Sequence, residues 1–146
     1  MAYLLDTNVI SELRKTKPHG GVVAWIKEIP EEALFVSAVT LGEIQAGIEV
    51  TREQDAAKAR EIEQWLEDIS ETYNVVSADA AVFRRWAQLM HGRPDHHLED
   101  ALIAATALVR DLTVATRNTG DFKPFKVDVV NPFLTSRRSG EEQDPK

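Results

Sequence analysis

Short apolar runs, each followed by a polar residue and then by a helical pattern, recur along this chain. Residues 3–5 lead into Asp6-Thr7-Asn8, and residues 34–36 lead into Ser37. Apolar runs of this length with polar ends are typical of buried strands. Strands that alternate with helices form parallel sheets with right-handed crossovers. The pattern therefore predicts an α/β fold with a mainly parallel central sheet of about five strands, surrounded by helices.

Three further strands are predicted at residues 73–76, 113–116 and 127–132. The segments between them repeat apolar residues at helical spacing, which places one face of each helix against the sheet. After the second strand, Thr40 and Glu43 have the spacing of a capping box, so the next helix is predicted to begin at Thr40.

Composition limits the class of protein and its surroundings. The 146 residues fit one domain, predicted over residues 1–134, and residues 135–146 have no apolar anchors and are predicted to form a disordered tail. The net charge of −7 argues against broad, nonspecific binding to nucleic acid. With no cysteine, no secretory signal and no apolar stretch of membrane length, the chain is expected in the cytoplasm, away from membranes.

Polar side chains collect where the predicted strands end. Asp6, Glu43 and Asp100 each lie at the start of a helix, and Asn118 and Asp121 lie on the loop after the fourth strand. Each acid alone fits a helix cap. All of them together belong at one sheet edge, where carboxylates repel one another unless a cation lies among them. Such oxygen ligands suit Mg²⁺ or Mn²⁺, which proteins use for phosphodiester cleavage.

These stretches together resemble the motifs of PIN domains, most closely those of the VapC and FitB toxins of VapBC-type toxin–antitoxin systems. The resemblance extends over residues 3–133 in unbroken order, and ordered motifs are more specific than a single match. The residues that make the resemblance are Asp6-Thr7-Asn8-Val9-Ile10-Ser11, Thr40-Leu41-Gly42-Glu43, Asp100-Ala101-Leu102-Ile103-Ala104-Ala105-Thr106-Ala107, Ala115-Thr116-Arg117-Asn118 and Asp121-Phe122.

The resemblance implies a three-layer α/β/α sandwich and a function. A protein of this family would be the toxin of a type II toxin–antitoxin system, an endoribonuclease that cuts RNA with Mg²⁺, or with Mn²⁺ in its place, and a metal-activated water. A cognate VapB-like antitoxin would neutralise it, and the toxin would form a homodimer within a larger complex.

The resemblance also implies roles for individual residues. Asp6, Glu43 and Asp100 would be the three core acids that bind the metal. The fourth position is open between Asn118 and Asp121, and Asp121 is the preferred fourth acid.

Other residues would line or serve this site. Polar groups expected to orient the carboxylates or a water are Thr7, Asn8, Ser37, Thr116 and Asn118. Residues expected to contact the RNA backbone are Arg93, Arg117 and Lys123. The His96-His97 pair departs from the family pattern, and because Mg²⁺ prefers oxygen, solvent-exposed histidines are favoured over ligands.

Three alternative functions remain. A haloacid-dehalogenase type phosphatase would need Asp-x-Asp where this chain has Asp6-Thr7-Asn8. A phosphoacceptor receiver domain would need an acid after the third strand, where the chain has Val76-Ser77. A catalytically inactive PIN scaffold that binds RNA or protein is the main alternative, although the presence of all three core acids argues against it.

Overall fold

The central sheet of the protein has five strands, all parallel, in the computed structural model, which describes residues 1–135. The spatial order is β3-β2-β1-β4-β5, with β1 in the centre. The strands are β1 (Tyr3–Leu5), β2 (Leu34–Ser37), β3 (Asn74–Val76), β4 (Thr113–Ala115) and β5 (Val129–Val130). The predicted parallel α/β architecture is confirmed.

Helices cover both faces of this sheet. They are α1 (Thr7–Glu12), α2 (Gly20–Glu28), α3 (Ala38–Arg52), α4 (Ala56–Thr72), α5 (Ala80–Met90), α6 (Leu98–Arg110) and α7 (Pro132–Thr135). Short 3-10 segments occupy Glu31–Ala33, Asp95–His97 and Thr119–Phe125. Among residues 1–135, no helix is long and apolar enough to cross a bilayer.

Alternation along β1 divides the core into two layers. Successive side chains of a strand point to opposite faces of the sheet. Leu4 accordingly packs in the cluster that includes Ala104 of α6 and Phe122, while Leu5 packs with Val9 of α1 and the residues of α2. The result is the α/β/α sandwich predicted from the family resemblance, with α5 and α6 on one face and α1, α2 and α7 on the other.

The strand order creates a crevice between β1 and β4. The chain moves outward from β1 to β2 and β3, and then returns to place β4 on the opposite side of β1. Ligand sites of open parallel sheets lie at such a reversal, beyond the carboxyl ends of the strands. Asp6 follows β1 and Thr116 follows β4, so both residues lie at this reversal.

Helix α3 begins earlier than the sequence pattern predicts. Its N-cap is Ser37, whose Oγ accepts a hydrogen bond from the Val39 amide at 3.0 Å. The capping box at Thr40 is therefore wrong: Thr40 lies in the first turn, is fully buried, and its Oγ1 has no hydrogen-bond partner. The tail is predicted over residues 135–146. The structure describes Thr135, which is the last residue of α7, and residues 136–146 lie outside the described part of the chain.

Candidate active site

Asp6 is the most constrained acid of the sheet edge. As the N-cap of α1, its Oδ1 accepts a hydrogen bond from the Thr7 amide at 2.8 Å. Its Oδ2 accepts from Thr116 Oγ1 at 2.8 Å and from Asn8 Nδ2 at 3.2 Å. Asp6 is therefore both a helix cap and a residue of the site, and three donors fix the direction of its carboxylate.

The tip of β4 supplies the other side of this network. Thr116 is fully buried, and its Oγ1 accepts hydrogen bonds from the Asn118 amide at 3.0 Å and from Asn8 Nδ2 at 3.3 Å. The Arg117 amide donates to Asn8 Oδ1 at 3.0 Å. Because Asn8 bridges the two strand tips in this way, β1 and β4 are joined directly beyond their carboxyl ends.

Glu43 reaches the same edge from α3. Its Oε1 accepts a hydrogen bond from Thr7 Oγ1 at 3.1 Å, which links it to the residue beside Asp6. Burial raises the pKa of Glu43 to about 7, and a hydrogen bond to Glu99 together with the Glu99 charge contributes to the rise.

Asp100 enters the site from the first turn of α6. Burial raises the pKa of this carboxyl above its ordinary value, and the negative charges of Asp6 and Asp121 raise it further. Burial also raises the pKa of Asp6, and this effect exceeds the lowering by its three hydrogen bonds. The Asp121 charge adds to the rise at Asp6. The predicted acids thus act on one another electrostatically at one edge of the sheet.

A cleft of about 510 Å³ opens at this edge. Its polar lining includes Asp6, Glu43, Asp100, Asn118 and a further acid, Glu99. Asp121, on the 3-10 segment after β4, is exposed and is not part of this lining. No lysine or arginine of residues 1–135 forms an ion pair with the four acids of this lining, and the described positive charge that acts on one of them is that of His97, which lowers the pKa of Asp100.

The donor set of this cleft fits a hard divalent cation. Its candidate ligands are carboxylate, amide and hydroxyl oxygens, which Mg²⁺ and Mn²⁺ prefer. Among the side chains that the structure describes, which exclude that of His96, no three acidic or histidine groups lie close enough together to enclose a metal ion. The raised pKa values of Asp6, Glu43 and Asp100 indicate charges that a cation would compensate.

Sequence comparison assigns the family. The PIN domain model matches residues 3–126 of the chain. This chain is a PIN domain protein. It is 36% identical over 137 residues to toxin FitB of Neisseria gonorrhoeae, which covers 89% of this chain and 97% of FitB. It is also 36% identical over 138 residues to VapC ribonuclease Y4jK of Sinorhizobium fredii, covering 89% of this chain and 96% of that protein.

Solved structures agree with this assignment. The crystal structure of FitAcB from Neisseria gonorrhoeae superposes with a TM-score of 0.80 at 34% identity, covering 90% of this PIN domain protein and 99% of the matched chain. A toxin-antitoxin complex from Klebsiella pneumoniae gives a TM-score of 0.68 at 26% identity and covers 90% and 98% of the respective chains.

Two residues predicted to contact RNA lie in other contacts of this PIN domain. The Arg93 guanidinium donates to the Leu89 and Pro124 carbonyls at 2.8 and 3.1 Å and lies 5.1 Å from the centroid of the Phe125 ring. The Arg117 guanidinium lies 3.8 Å from the centroid of the Phe133 ring.

The remaining predicted residues take different positions. Lys123 is exposed on the 3-10 segment after β4. Ser37 is buried and caps α3, and it does not line the cleft. The His97 ring is half-buried, stands edge-on to Phe125 at 6.3 Å between centroids, and its charge lowers the pKa of Asp100.

Sequence reasoning missed two acids. Glu99 precedes Asp100 and lines the cleft, a position that its adjacency to a core acid could have suggested. Glu12, the last residue of α1, is buried although it lies at a helix end. Its Oε1 lies 2.9 Å from Lys15 Nζ, a contact that the i,i+3 spacing could have suggested, and its Oε2 accepts from the His19 amide at 2.8 Å, for which the sequence offers no signal.

Proposed function

We propose that this PIN domain protein is the toxin of a type II toxin–antitoxin pair, a metal-dependent endoribonuclease that is neutralised by a VapB-like antitoxin. The observation that supports this function best is the hydrogen-bonded Asp6 carboxylate at the β1–β4 reversal, bordered by further acids with raised pKa values. An inactive scaffold would have no need for such a costly concentration of charge.

The residues proposed to hold the metal are Asp6, Glu43 and Asp100, with Asp121 as the fourth acid. When bound there, Mg²⁺ or Mn²⁺ would lower the pKa of a water and compensate charge on the scissile phosphate. Asp121 is proposed for this role because its charge acts on both Asp6 and Asp100, although it lies outside the cleft lining.

Neutral side chains around these acids are proposed to orient them. Thr116 and Asn8 donate hydrogen bonds that orient Asp6 Oδ2. The Thr7 hydroxyl donates to Glu43 and so orients it toward the same cleft. Such partners fix a ligand's geometry before the metal arrives, which reduces the reorganisation needed at binding. Asn118, on the cleft wall, is proposed to position a water.

The substrate and partners are proposed from the relatives and from the surface around the cleft. RNA is the proposed substrate, since one relative is named a VapC ribonuclease. Lys123, exposed on the segment that bears Asp121, is proposed to contact the RNA backbone. A toxin homodimer within a larger antitoxin complex, located in the cytoplasm, is the proposed cellular form.

The test compares two Asp-to-Asn variants at opposite edges of the sheet. Asp6→Asn removes a proposed ligand, whereas Asp111→Asn changes an exposed acid between α6 and β4, where the φ of 59° is one that Asn tolerates. Each protein, purified free of antitoxin, is incubated with total cellular RNA in Mg²⁺, Mn²⁺ or EDTA. We expect Asp6→Asn to lose at least about 100-fold in cleavage rate and Asp111→Asn to match the wild type.

Two results would contradict this function. Cleavage by Asp6→Asn at the wild-type rate would remove Asp6 from the mechanism. Absence of RNA cleavage by the wild-type protein in both metals would favour the inactive scaffold. If the wild-type protein does cleave RNA, mapping of the cleaved ends identifies which RNA it cuts.

A further inference from the structure

We infer that Arg117 is a positioning residue of this site, which fixes the Asn8 amide and through it the Asp6 carboxylate, with the C-terminal helix α7 as its support. The inference rests on the proposed function for the role of Asp6, but the contacts that support it lie within the protein itself. It departs from the expectation that Arg117 binds the RNA backbone.

Arg117 is attached to α7 and to Asn131, the residue before this helix. Its guanidinium carbon lies 3.8 Å from the centroid of the Phe133 ring, the distance of a close cation–π contact. Its carbonyl accepts a hydrogen bond from Asn131 Nδ2 at 3.4 Å, and Asn131 Oδ1 in turn accepts from the Phe133 amide at 2.9 Å. The side chain of Arg117 thus contacts Phe133 of α7, and its backbone carbonyl is hydrogen-bonded to Asn131, the residue before that helix.

Helix α7 is itself fixed to the body of the protein. Phe133 is buried in the core layer that contains Val22 and Trp25 of α2. The His19 ring stands edge-on to Phe133 at 5.1 Å between centroids. The negative charge of Glu12 also faces Arg117, since the Arg117 charge contributes to lowering the pKa of Glu12. The ring that Arg117 contacts is therefore held in the core of the protein.

The third attachment of Arg117 reaches the site. Its backbone N–H donates to Asn8 Oδ1 at 3.0 Å, and this contact decides which end of the Asn8 amide faces Asp6. With Oδ1 engaged by Arg117, the Nδ2 group is turned toward Asp6 Oδ2 at 3.2 Å. A reversed amide would present its oxygen to a carboxylate, and the two acceptors would repel each other. Arg117 thus keeps a donor directed at the proposed metal ligand.

Arg93 provides a matched control. Its guanidinium also lies over a phenylalanine ring, Phe125, at 5.1 Å, and it is hydrogen-bonded to backbone carbonyls. No described hydrogen bond connects it to Asn8 or Asp6. Arg93→Met and Arg117→Met therefore each remove an arginine–phenylalanine contact, but only Arg117→Met loosens the Asn8 amide.

The experiment measures Mn²⁺ affinity by isothermal titration calorimetry, with kcat and KM for RNA cleavage measured separately. We expect Arg117→Met to weaken Mn²⁺ binding by about 3- to 10-fold, less than loss of a direct ligand partner, and to lower kcat at unchanged KM. Phe133→Leu should produce the same change, and the double variant should add little to it because both substitutions break one contact. Arg93→Met should retain the wild-type Mn²⁺ affinity.

A second measurement needs neither metal nor RNA. In ¹⁵N-labelled protein, Arg117→Met should shift the Asn8 side-chain amide signals and speed hydrogen exchange at the Arg117 position, whereas Arg93→Met should leave the Asn8 signals in place. If Arg117→Met instead raises KM with unchanged Mn²⁺ affinity, Arg117 is an RNA contact and the inference is overturned. Unchanged Asn8 signals would overturn it as well.

The two proposals can fail separately. A wild-type protein that neither binds Mn²⁺ nor cuts RNA would refute the proposed function, while the Asn8 signals would still decide whether Arg117 positions this amide. A wild type that binds Mn²⁺ and cuts RNA, beside an Arg117→Met variant equal to it in every measurement, would refute the inference alone.

Discussion

Helix α1 has an acid at each end, Asp6 at its N-cap and Glu12 at its last residue. Glu12 is buried and Asp6 is half-buried, yet their pKa values move in opposite directions. The Glu12 pKa is lowered, first by its hydrogen bond to Lys15 and also by the His19 amide and the charge of Arg117. The Asp6 pKa is raised, because burial outweighs its neutral donors and the nearest charges are negative.

The opposite pKa shifts indicate different roles: Glu12 stabilises the fold, whereas Asp6 carries a charge that a bound ligand would compensate. Glu12 has its compensation inside the folded chain, so its charge stabilises the native state. Burial and the neighbouring negative charges leave the pKa values of Asp6, Glu43 and Asp100 raised, although His97 partly compensates Asp100, so these charges make the native state less stable than it could be. Functional sites commonly reduce stability in this way.

Metal addition should produce the largest effect. At a Mn²⁺ concentration 100 times the dissociation constant, binding to the native state alone should raise the free energy of unfolding by about 2.7 kcal/mol. Asp6→Asn should lose this increase, while Glu12→Gln should retain it in full. Urea denaturation with and without Mn²⁺ measures the difference, and an equal increase in Asp6→Asn would place the cation elsewhere.

Substitution of Glu12 should produce the next largest change in the free energy of unfolding. Glu12→Gln should lower the free energy of unfolding by about 1–2 kcal/mol at pH 7, since it weakens charge-assisted hydrogen bonds. The Glu12 pKa lies below its ordinary value of 4.5 in the folded protein, so its stabilisation is present above pH 4.5 and is lost as pH falls through the folded value. The wild type and Glu12→Gln should therefore converge in urea denaturation as the pH falls below 4.5 and through the lowered folded pKa. A constant difference would mean that the charge of Glu12 is irrelevant.

Substitution of Glu43 is expected to change the free energy of unfolding in the opposite direction from substitution of Glu12. Glu43→Gln should raise the free energy of unfolding by about 0.5–1 kcal/mol at pH 8, while cleavage is lost. The Glu43 pKa is about 7 when folded against an ordinary value of 4.5, so the folded protein takes up a proton as pH falls and the wild type gains stability. The advantage of the variant should accordingly shrink from pH 8 to 5 in thermal denaturation. A less stable Glu43→Gln protein at pH 8 would show that Glu43 supports the fold.

The smallest effect is expected at Lys15. Its side chain is 60% exposed, and its ion pair with Glu12 is open to solvent and salt. Lys15→Met should lower the free energy of unfolding by no more than about 1 kcal/mol. A larger loss, measured by urea denaturation at pH 7, would mean that solvent does not screen the ion pair between Lys15 and Glu12.

The sequence predicted the sheet and its acid edge because both depend on local patterns. Residues 3–5 and 34–36 are apolar runs with polar ends, and the folded strands agree with them within about a residue. The carboxyl ends of parallel strands share one edge, so the pattern also indicated that Asp6 and Asp100 would act on one another.

The contacts that distinguish one polar residue from another were beyond the sequence. Ser37 and Thr40 are both good caps, and only the position of the strand end selects Ser37. Arg93 and Arg117 read as basic surface residues, because their aromatic partners Phe125 and Phe133 lie far along the chain or on another element. The choice between a nucleic acid and a protein ring as the partner of an arginine depends on tertiary structure.

The bond between Thr116 and Asp6 joins residues 110 positions apart. Translation adds about 5–20 residues per second, so Asp6 is made on the order of ten seconds before the residue that aligns it. Throughout synthesis of β2, β3 and helices α2 to α6, the nascent chain contains Asp6 but not the Thr116 hydroxyl that aligns it. Because β4 pairs with β1 yet follows it by so many residues, the order of the strands delays assembly of the site until β4 has been made.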